Sequence, residues 1–164
     1  MRDLSELNLN EGGGPVKRPP PSPGTIAAFE REFGVTLPAD YLGLLRFSNG
    51  GHPELDVPTL SDGSLSDSSV NRFHHLDEDR GSTESLWRAT RDWRAVLGEK
   101  KIPFAGDGTG NVFVLDLGQE PATVSICLHE EGFELEPLAP SFAAFIDSLD
   151  LDPDLEEDFD EDEA

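Results

Sequence analysis

The glycine-rich stretch Gly106–Asn111, with the sequence GDGTGN, is the first candidate for ligand chemistry. A phosphate-binding loop places backbone N–H groups at the start of a helix, and a Lys-Ser or Lys-Thr pair usually follows. Here the glycines lead into Asn111–Leu117, an apolar stretch typical of a central strand, and no such lysine follows. The pattern therefore favours a structural hairpin turn or bulge over a phosphate site.

Four acidic residues near the end of the chain have the spacing of calcium ligands. Asp150, Asp152, Asp154 and Glu161 fall at positions one, three, five and twelve of a calcium loop. The glycine that the loop needs at position six is replaced by Leu155, and no flanking helix follows. We therefore expect a solvated acidic segment and no specific metal site.

The histidines and the single cysteine are the remaining candidates for metal binding or catalysis. The spacing of His52, His74, His75 and His129 matches no common zinc pattern. Cys127 lies on a predicted strand with His129, and no third group completes a catalytic arrangement. Cys127 is expected to pack as a small apolar residue, and one cysteine forms no intramolecular disulfide. The sequence thus predicts no catalytic residue, no metal and no cofactor.

Acidic residues form two clusters that are candidates for binding a partner. One predicted loop carries Asp77, Glu78 and Asp79, and one predicted hairpin carries Glu130, Glu131, Glu134 and Glu136. Alternate strand residues face opposite sides, so Phe133 and Leu135 are expected to face the core. Glu134 and Glu136 then point to solvent together. Such a surface complements a basic protein, although a purely solubilising role is the alternative.

The charge balance narrows the class of partner. The chain carries 34 acidic and 12 basic residues, a net charge of −22. Such a chain repels phosphate backbones, which argues against direct binding of nucleic acid, and it attracts basic proteins. No run of apolar residues is long enough for a membrane span, and the N-terminus lacks the apolar run of a secretory signal. We expect a cytoplasmic protein that is a monomer or a weak homo-oligomer.

Composition divides the chain into three parts. Residues 1–22 contain Gly12-Gly13-Gly14 and several prolines, and they predict a disordered arm. Residues 23–149 contain the apolar periodicity of a single folded domain. Residues 150–164, with ten acidic residues in fifteen, predict a disordered acidic tail. Of the net charge, −10 belongs to this tail and −12 to the domain.

The pattern of elements predicts an α+β domain. Four helices are expected, from Pro23 to Gly34, Pro38 to about Asn49, Glu84 to Leu97 and Pro140 to about Leu149. Strands are expected at residues 70–73, 102–105, 111–117, 124–128 and 133–138. Together they predict an antiparallel sheet of about four to six strands packed with about four helices.

Three segments in this order resemble the SUKH superfamily, the SMI/KNR-type proteins. They are IAAFEREFGVTLPADYLGLLRFSNGG (Ile26–Gly51), KIPFAGDGTGNVFVLDL (Lys101–Leu117) and LAPSFAAFIDSL (Leu138–Leu149). The resemblance covers residues 23–149 and implies a SUKH-like fold and a non-catalytic, protein-binding role. Many bacterial members are thought to be immunity proteins that neutralise toxins, often nucleases, and fungal members act as regulatory scaffolds.

Two functions follow from the resemblance together with the charge. The leading hypothesis is an immunity protein that binds and blocks a basic toxin domain, such as a nuclease. The alternative is a regulatory or scaffold protein that binds cellular partners through its domain and its terminal segments. The sequence offers no nucleophile or acid–base pair, so an enzyme is not expected.

Overall fold

The computed structural model describes residues 1–153, and most of the expected acidic tail, residues 154–164, lies outside them. The α-helices of the described part are α1 (Pro23–Phe33), α2 (Ala39–Phe47), α3 (Leu86–Leu97) and α4 (Phe142–Ser148). The strands are β1 (Asn10–Glu11), β2 (Gly14–Pro15), β3 (Val57–Pro58), β4 (Arg72–Phe73), β5 (Lys101–Gly106), β6 (Val112–Asp116), β7 (Thr123–Leu128), β8 (Glu134–Ala139) and β9 (Leu149–Asp150). No helix in residues 1–153 is long and apolar enough to cross a membrane.

The central element is a five-stranded antiparallel sheet with the order β4-β5-β6-β7-β8. Because consecutive strands are neighbours, each connection is local apart from α3, which precedes β5. Two small two-stranded sheets, β1-β2 and β3-β9, accompany it. The predicted α+β fold of one domain is confirmed.

The middle strand β6 is covered on both faces. Phe113 and Leu115 belong to the main core, whereas Val112 and Val114 belong to a second cluster with Leu97 of α3. Side chains alternate between the faces of a strand, so an apolar residue at every position is what such a strand needs. The expectation of a strand buried on both sides is confirmed.

Aromatic rings fill the main core around Phe104 on β5, which is fully buried. Its ring centroid lies 5.5 Å from those of both Phe142 and Phe145 on α4, in edge-to-face geometry. Tyr41 on α2 contacts Phe142 at 5.3 Å. Each such pair contributes about 0.5–1.5 kcal/mol beyond the area it buries. These contacts fix α2 and α4 against one face of the sheet.

Helix α1 begins and ends where the sequence predicts. Ser22 Oγ accepts a hydrogen bond from Thr25 N at 3.1 Å, and Pro23 occupies the first turn. Gly34 ends the helix with a φ of 64°, a left-handed conformation that glycine adopts without strain. The last helix stops one residue earlier than expected, because Leu149 and Asp150 pair with Val57 and Pro58 as β9 and β3.

Residues 1–22 are packed against the domain, in contrast to the expected disordered arm. Leu7 is fully buried in the main core, within a short 3-10 helix (Leu4–Leu7). The backbone of Asn10 exchanges two hydrogen bonds with His52. The glycines and prolines that suggested disorder form turns and extended segments between such anchors. The expectation of an unpacked arm was wrong because three spaced leucines outweigh the local composition.

Candidate functional site

The acidic hairpin, residues 128–139, contains the end of β7, a turn and the whole of β8. Its turn is a 3-10 helix over His129–Glu131, ended by Gly132 with a φ of 66°. Glu130, Glu131, Glu134 and Glu136 are all exposed, as the sequence predicts. This hairpin is therefore the strongest candidate for a charged binding surface.

Hydrogen bonds from the glycine-rich loop hold the turn of the acidic hairpin in place. Asp107 accepts from the backbone N–H groups of Thr109 and Asn111 at 2.8 and 3.1 Å and from Asn111 Nδ2 at 2.9 Å. Asn111 Oδ1 accepts from His129 N at 2.9 Å and pairs with His129 Nδ1 at 2.6 Å. Because that amide oxygen can only accept, Nδ1 carries the hydrogen. The loop is structural, as expected, and it positions the acidic turn.

Gly110 completes this support by leaving room for the imidazole ring. A Cβ at this position would lie 3.0–3.2 Å from three atoms of the His129 ring, and the φ of Gly110 is 114°. Both the space and the backbone conformation require glycine. Gly110 thus allows the glycine-rich loop to approach the turn of the acidic hairpin closely.

A groove of about 680 Å³ lies beside the acidic hairpin. Its carboxylates come from Asp67, Glu130, Glu131 and Glu136. Hydroxyl groups and apolar side chains complete the lining: Leu60, Ser64, Leu65, Ser66, Ser68, Thr109, Ile126 and Leu128, with Asn111 and His129. Three of the predicted binding residues therefore share one concave surface with the segment that precedes β4.

Three of the four carboxylates of the acidic hairpin have no partner among residues 1–153. Among the described residues, Glu131, Glu134 and Glu136 form no ion pair or side-chain hydrogen bond, and Glu130 has only His129 Nε2 at 3.8 Å. A carboxylate without an internal partner is available to an external cation. The negative charge of this surface is therefore not neutralised by basic residues of the described domain.

The orientation of β8 differs from the expectation. Phe133 and Leu135 were expected to face the core, but they are 47% and 36% exposed. Glu134 and Glu136 lie opposite Leu128 and Ile126, on the face of the sheet that carries the main core. Because β8 is an edge strand, both faces are only partly covered at these positions. Glu134 and Glu136 are therefore exposed because β8 lies at the edge of the sheet, although they are on the face that carries the main core.

The acidic loop, residues 77–79, has a different environment. Asp77 Oδ2 lies 3.2 Å from Arg18 Nη1, and Asp77 Oδ1 accepts from Asp79 N at 2.9 Å. Asp79 Oδ1 accepts from Gly81 N at 3.1 Å. Of the three predicted binding residues in this loop, Asp77 and Asp79 stabilise the loop itself, and Glu78 is exposed. The structure does not bring the acidic loop together with the acidic hairpin.

Asn49, at the end of α2, anchors the chain just before the acidic loop. Its Oδ1 accepts from Leu76 N at 2.7 Å, and its Nδ2 donates to the carbonyls of Leu76 and Pro19, each at 2.9 Å. Asn49 was expected only to end a helix, and Asn111 only to begin a strand. The glycines next to them, Gly50 and Gly110, are the sequence feature that could have indicated a close approach of each turn to another segment.

His74 and His75 are buried next to the acidic loop. His74 Nδ1 donates to the carbonyl of Pro103 at 2.8 Å, and burial lowers the pKa of His74 to about 4. Burial also lowers the pKa of His75, against the opposing influence of Asp77, whose Oδ1 lies 3.2 Å from Nδ1. Both imidazoles are neutral at neutral pH and belong to the interior. Residues 1–153 contain no group of three or more potential metal ligands.

Cys127 is fully buried in the second cluster, as expected of a packing residue. Burial raises the pKa of its thiol, so the reactive thiolate is disfavoured. Its Sγ lies 3.5 Å from the carbonyl of Phe133, while His129 is held by Asn111. The pair Cys127 and His129 is therefore not arranged as a nucleophile and its base.

These features define a small α+β domain with an unpaired acidic surface at one sheet edge. The SMI1/KNR4 family (SUKH-1) model matches residues 20–148, and the chain belongs to this family. The match confirms the SUKH resemblance. Domains of this family are protein-interaction modules and are generally non-catalytic. No curated protein matches the chain.

Proposed function

We propose that this chain is a non-catalytic, cytoplasmic immunity protein that binds a basic toxin domain, such as a nuclease, through its acidic hairpin. The observation that carries the proposal is that Glu131, Glu134 and Glu136 are exposed and have no partner within residues 1–153. In a domain whose family binds proteins, a surface of this charge favours a partner of the opposite charge.

The acidic hairpin suits the inhibition of an enzyme that binds nucleic acid. A row of carboxylates presents negative charge to a basic cleft much as a phosphate backbone does, and a bound domain then blocks the cleft sterically. Complementary charge raises the association rate and the specificity more than the affinity itself. Inhibition in this scheme needs a stoichiometric complex and no chemical step.

A purified basic nuclease toxin domain, taken from a neighbouring gene that encodes one, tests the proposal. Binding and inhibition are measured for the wild-type protein and for the variant Glu131→Gln/Glu134→Gln/Glu136→Gln at low and at high salt. We expect the variant to associate about tenfold more slowly at low salt and the difference to shrink at high salt, because ions screen exposed charges.

The matched control removes three carboxylates outside both candidate surfaces, in Glu54→Gln/Glu99→Gln/Glu120→Gln. These residues are also exposed, so the net charge changes equally while the acidic hairpin is intact. Equal losses in the two triple variants would reduce the effect to net charge and remove the hairpin from the interface. A toxin that binds equally well at all salt concentrations would contradict the electrostatic mechanism.

A regulatory scaffold is the second candidate, and the acidic block from residue 150 onward favours it. Because Asp150 pairs in β9, the informative deletion removes residues 154–164 and keeps the described domain. An immunity protein retains most of its inhibition after this deletion. A scaffold that binds through the tail loses its partner, as measured by pull-down from the native cell.

A further inference from the structure

The outer edge of β8 is open. β8 is the last strand of the five-stranded sheet, and within residues 1–153 no strand pairs with its other side. Residues 134–137 are all exposed. An open edge offers N–H and C=O groups at regular spacing, and such groups can accept a further strand. Pro137 lacks an N–H and therefore removes at most one donor from this edge.

Apolar side chains line one face of this edge. Leu135 lies opposite the buried Cys127, on the side of the sheet covered farther along by α3. Phe133 meets Trp93 of α3 edge-to-face at 5.9 Å. These three side chains, Trp93, Phe133 and Leu135, are called the apolar rim.

Phe133 adopts an unusual backbone conformation at the start of the apolar rim. Its φ is 61°, and the left-handed conformation costs a residue with a Cβ about 1–2 kcal/mol. The side chain held in this way is 47% exposed. The fold therefore presents a large aromatic ring to solvent at a conformational cost, which is typical of binding sites.

Acidic side chains line the other face of the same edge. Glu134 and Glu136 point to the side opposite Leu135, because alternate residues of a strand face opposite ways. From Phe133 to Glu136 the exposed residues thus alternate between apolar and acidic. A strand laid along this edge meets carboxylates on one face and the apolar rim on the other.

The negative charge at the edge of β8 determines which kind of segment can pair with it. A second copy of this chain paired through β8 would bring Glu134 and Glu136 close to the same carboxylates of its partner, and like charges across strands are destabilising. The segment 154–164 carries eight acidic residues in eleven and is repelled in the same way. A basic segment of another protein has the complementary charge.

We propose that β8 accepts an extended segment of the partner protein, with alternating basic and apolar residues, as a sixth strand of the sheet. The inference rests on the proposed function and names how the basic partner is held. The basic side chains of the segment pair with Glu134 and Glu136, and the apolar side chains pack on the apolar rim. Backbone hydrogen bonds to β8 fix the register.

Two synthetic peptides of identical composition test the pattern. One alternates Lys and Val, and the other carries the lysines in one block and the valines in a second block. We expect the full-length protein to bind the alternating peptide about tenfold more tightly, because only this peptide places both kinds of side chain correctly. Equal affinity for the two, or no binding of either at the highest soluble concentration, would overturn the proposal.

Backbone methylation tests the strand pairing itself. In a paired strand only alternate residues direct their N–H groups to the neighbouring strand. We therefore prepare the alternating peptide with N-methyl groups either on every Lys or on every Val. One of the two should lose binding and the other should retain it. Equal behaviour of both peptides would show that side chains alone hold the segment and would contradict strand addition.

Variants of the chain locate the binding site. Leu135→Thr keeps a residue that favours strands but removes apolar contact, and Glu134→Gln/Glu136→Gln removes the two charges. Each should weaken the alternating peptide about threefold to tenfold, while Glu99→Gln/Glu120→Gln, which removes two exposed charges elsewhere, should not change its binding. Amide hydrogen exchange should show new protection in β8 on binding, and its absence there would place the peptide elsewhere.

The two proposals fail in distinguishable ways. If Glu131→Gln/Glu134→Gln/Glu136→Gln loses the toxin but the alternating and block peptides bind equally, the immunity function stands and the strand addition is rejected. If the alternating peptide pairs with β8 but the toxin does not bind, the edge site stands and the immunity function is rejected.

Discussion

The acidic loop and the acidic hairpin are both rich in acidic residues but have opposite roles in the fold. Each lies near one edge of the same sheet, and the edge strands β4 and β8 are four strand spacings apart, about 19 Å. In the loop, Asp77 and Asp79 accept hydrogen bonds from backbone N–H groups, and Asp77 also pairs with Arg18. In the hairpin, Glu134 and Glu136 contact no cation among the described residues.

This difference separates acidic residues that hydrogen-bond within their own loop from acidic residues whose carboxylates remain available to a partner. Short aspartates in a tight loop fold back on their own backbone, whereas glutamates on an edge strand extend away from it. Only the second kind is left for a partner. The two regions should therefore respond differently to mutation, the first in stability and the second in binding.

The largest effect is expected at Asn49, which supports the segment leading to the acidic loop. Asn49→Ala leaves the N–H and the carbonyl of Leu76 without partners in a buried site, and the free energy of unfolding should fall by about 3 kcal/mol. Urea denaturation measures this loss. Asn111→Ala, which loosens the partly buried turn of the acidic hairpin, should cost only about 1–2 kcal/mol. A larger loss for Asn111 would reverse the comparison.

Acid should destabilise the β4 side of the sheet through His74. The folded pKa of His74 is about 4, below its unfolded value of about 6.5, so the unfolded chain takes up the proton first as the pH falls. The stabilisation is complete above the unfolded pKa and declines as the pH falls toward the folded pKa. Between about pH 7 and about pH 5, His74 alone should lower the free energy of unfolding by about 2 kcal/mol.

Urea denaturation across this pH range measures the slope. The variant His74→Asn preserves a donor for the carbonyl of Pro103 but does not titrate, and it should show a clearly smaller pH dependence. An unchanged slope in this variant would assign the effect to another group. The lowered pKa of His75 acts in the same direction, so some dependence should persist.

A smaller loss of stability is expected at Asp77. Asp77→Ala removes the ion pair with Arg18 and the hydrogen bond to Asp79 N, and it should cost about 1–2 kcal/mol in thermal or urea denaturation. The control Glu78→Ala, next to it in the loop, should change stability by less than about 0.5 kcal/mol because its side chain is exposed. Equal losses of stability at both positions would mean that the charge of the loop matters, and not the ion pair and hydrogen bond of Asp77.

The smallest effect on stability is expected in the acidic hairpin. Glu134→Gln/Glu136→Gln should change the free energy of unfolding by less than about 0.5 kcal/mol, since neither carboxylate has a partner in the described part of the chain. Denaturation and partner binding should be measured on the same sample. A marked destabilisation of this variant would show that the carboxylates support the fold, and the contrast between the two regions would disappear.

Local patterns predicted much of the fold. Ser22-Pro23 and Gly34 bracket α1 in the sequence as they do in the structure, because capping depends on neighbouring residues. The apolar run Val112–Leu115 predicted a strand buried on both faces for a similar reason. The exposure of Glu134 and Glu136 was also predicted correctly.

Features that depend on distant contacts were missed. The exposure of Phe133 and Leu135 follows from the place of β8 at the sheet edge, and strand order is not encoded in the alternation of one strand. The bond between Asn111 and His129 joins residues 18 positions apart. Leu7 enters the core from a segment whose composition predicted disorder. Each case required knowledge of which segments meet.

Because the N-terminal segment packs on the domain, the folded domain of this protein begins earlier in the chain than the match to the family. The family match begins at residue 20, yet Leu7 lies in the main core and Arg2 Nη1 donates to the carbonyl of Leu149 at 2.7 Å. A fragment cut at the family boundary would lack both and expose the apolar surface that Leu7 covers. The beginning of the chain, although rich in glycine and proline, covers apolar surface of the domain that follows it.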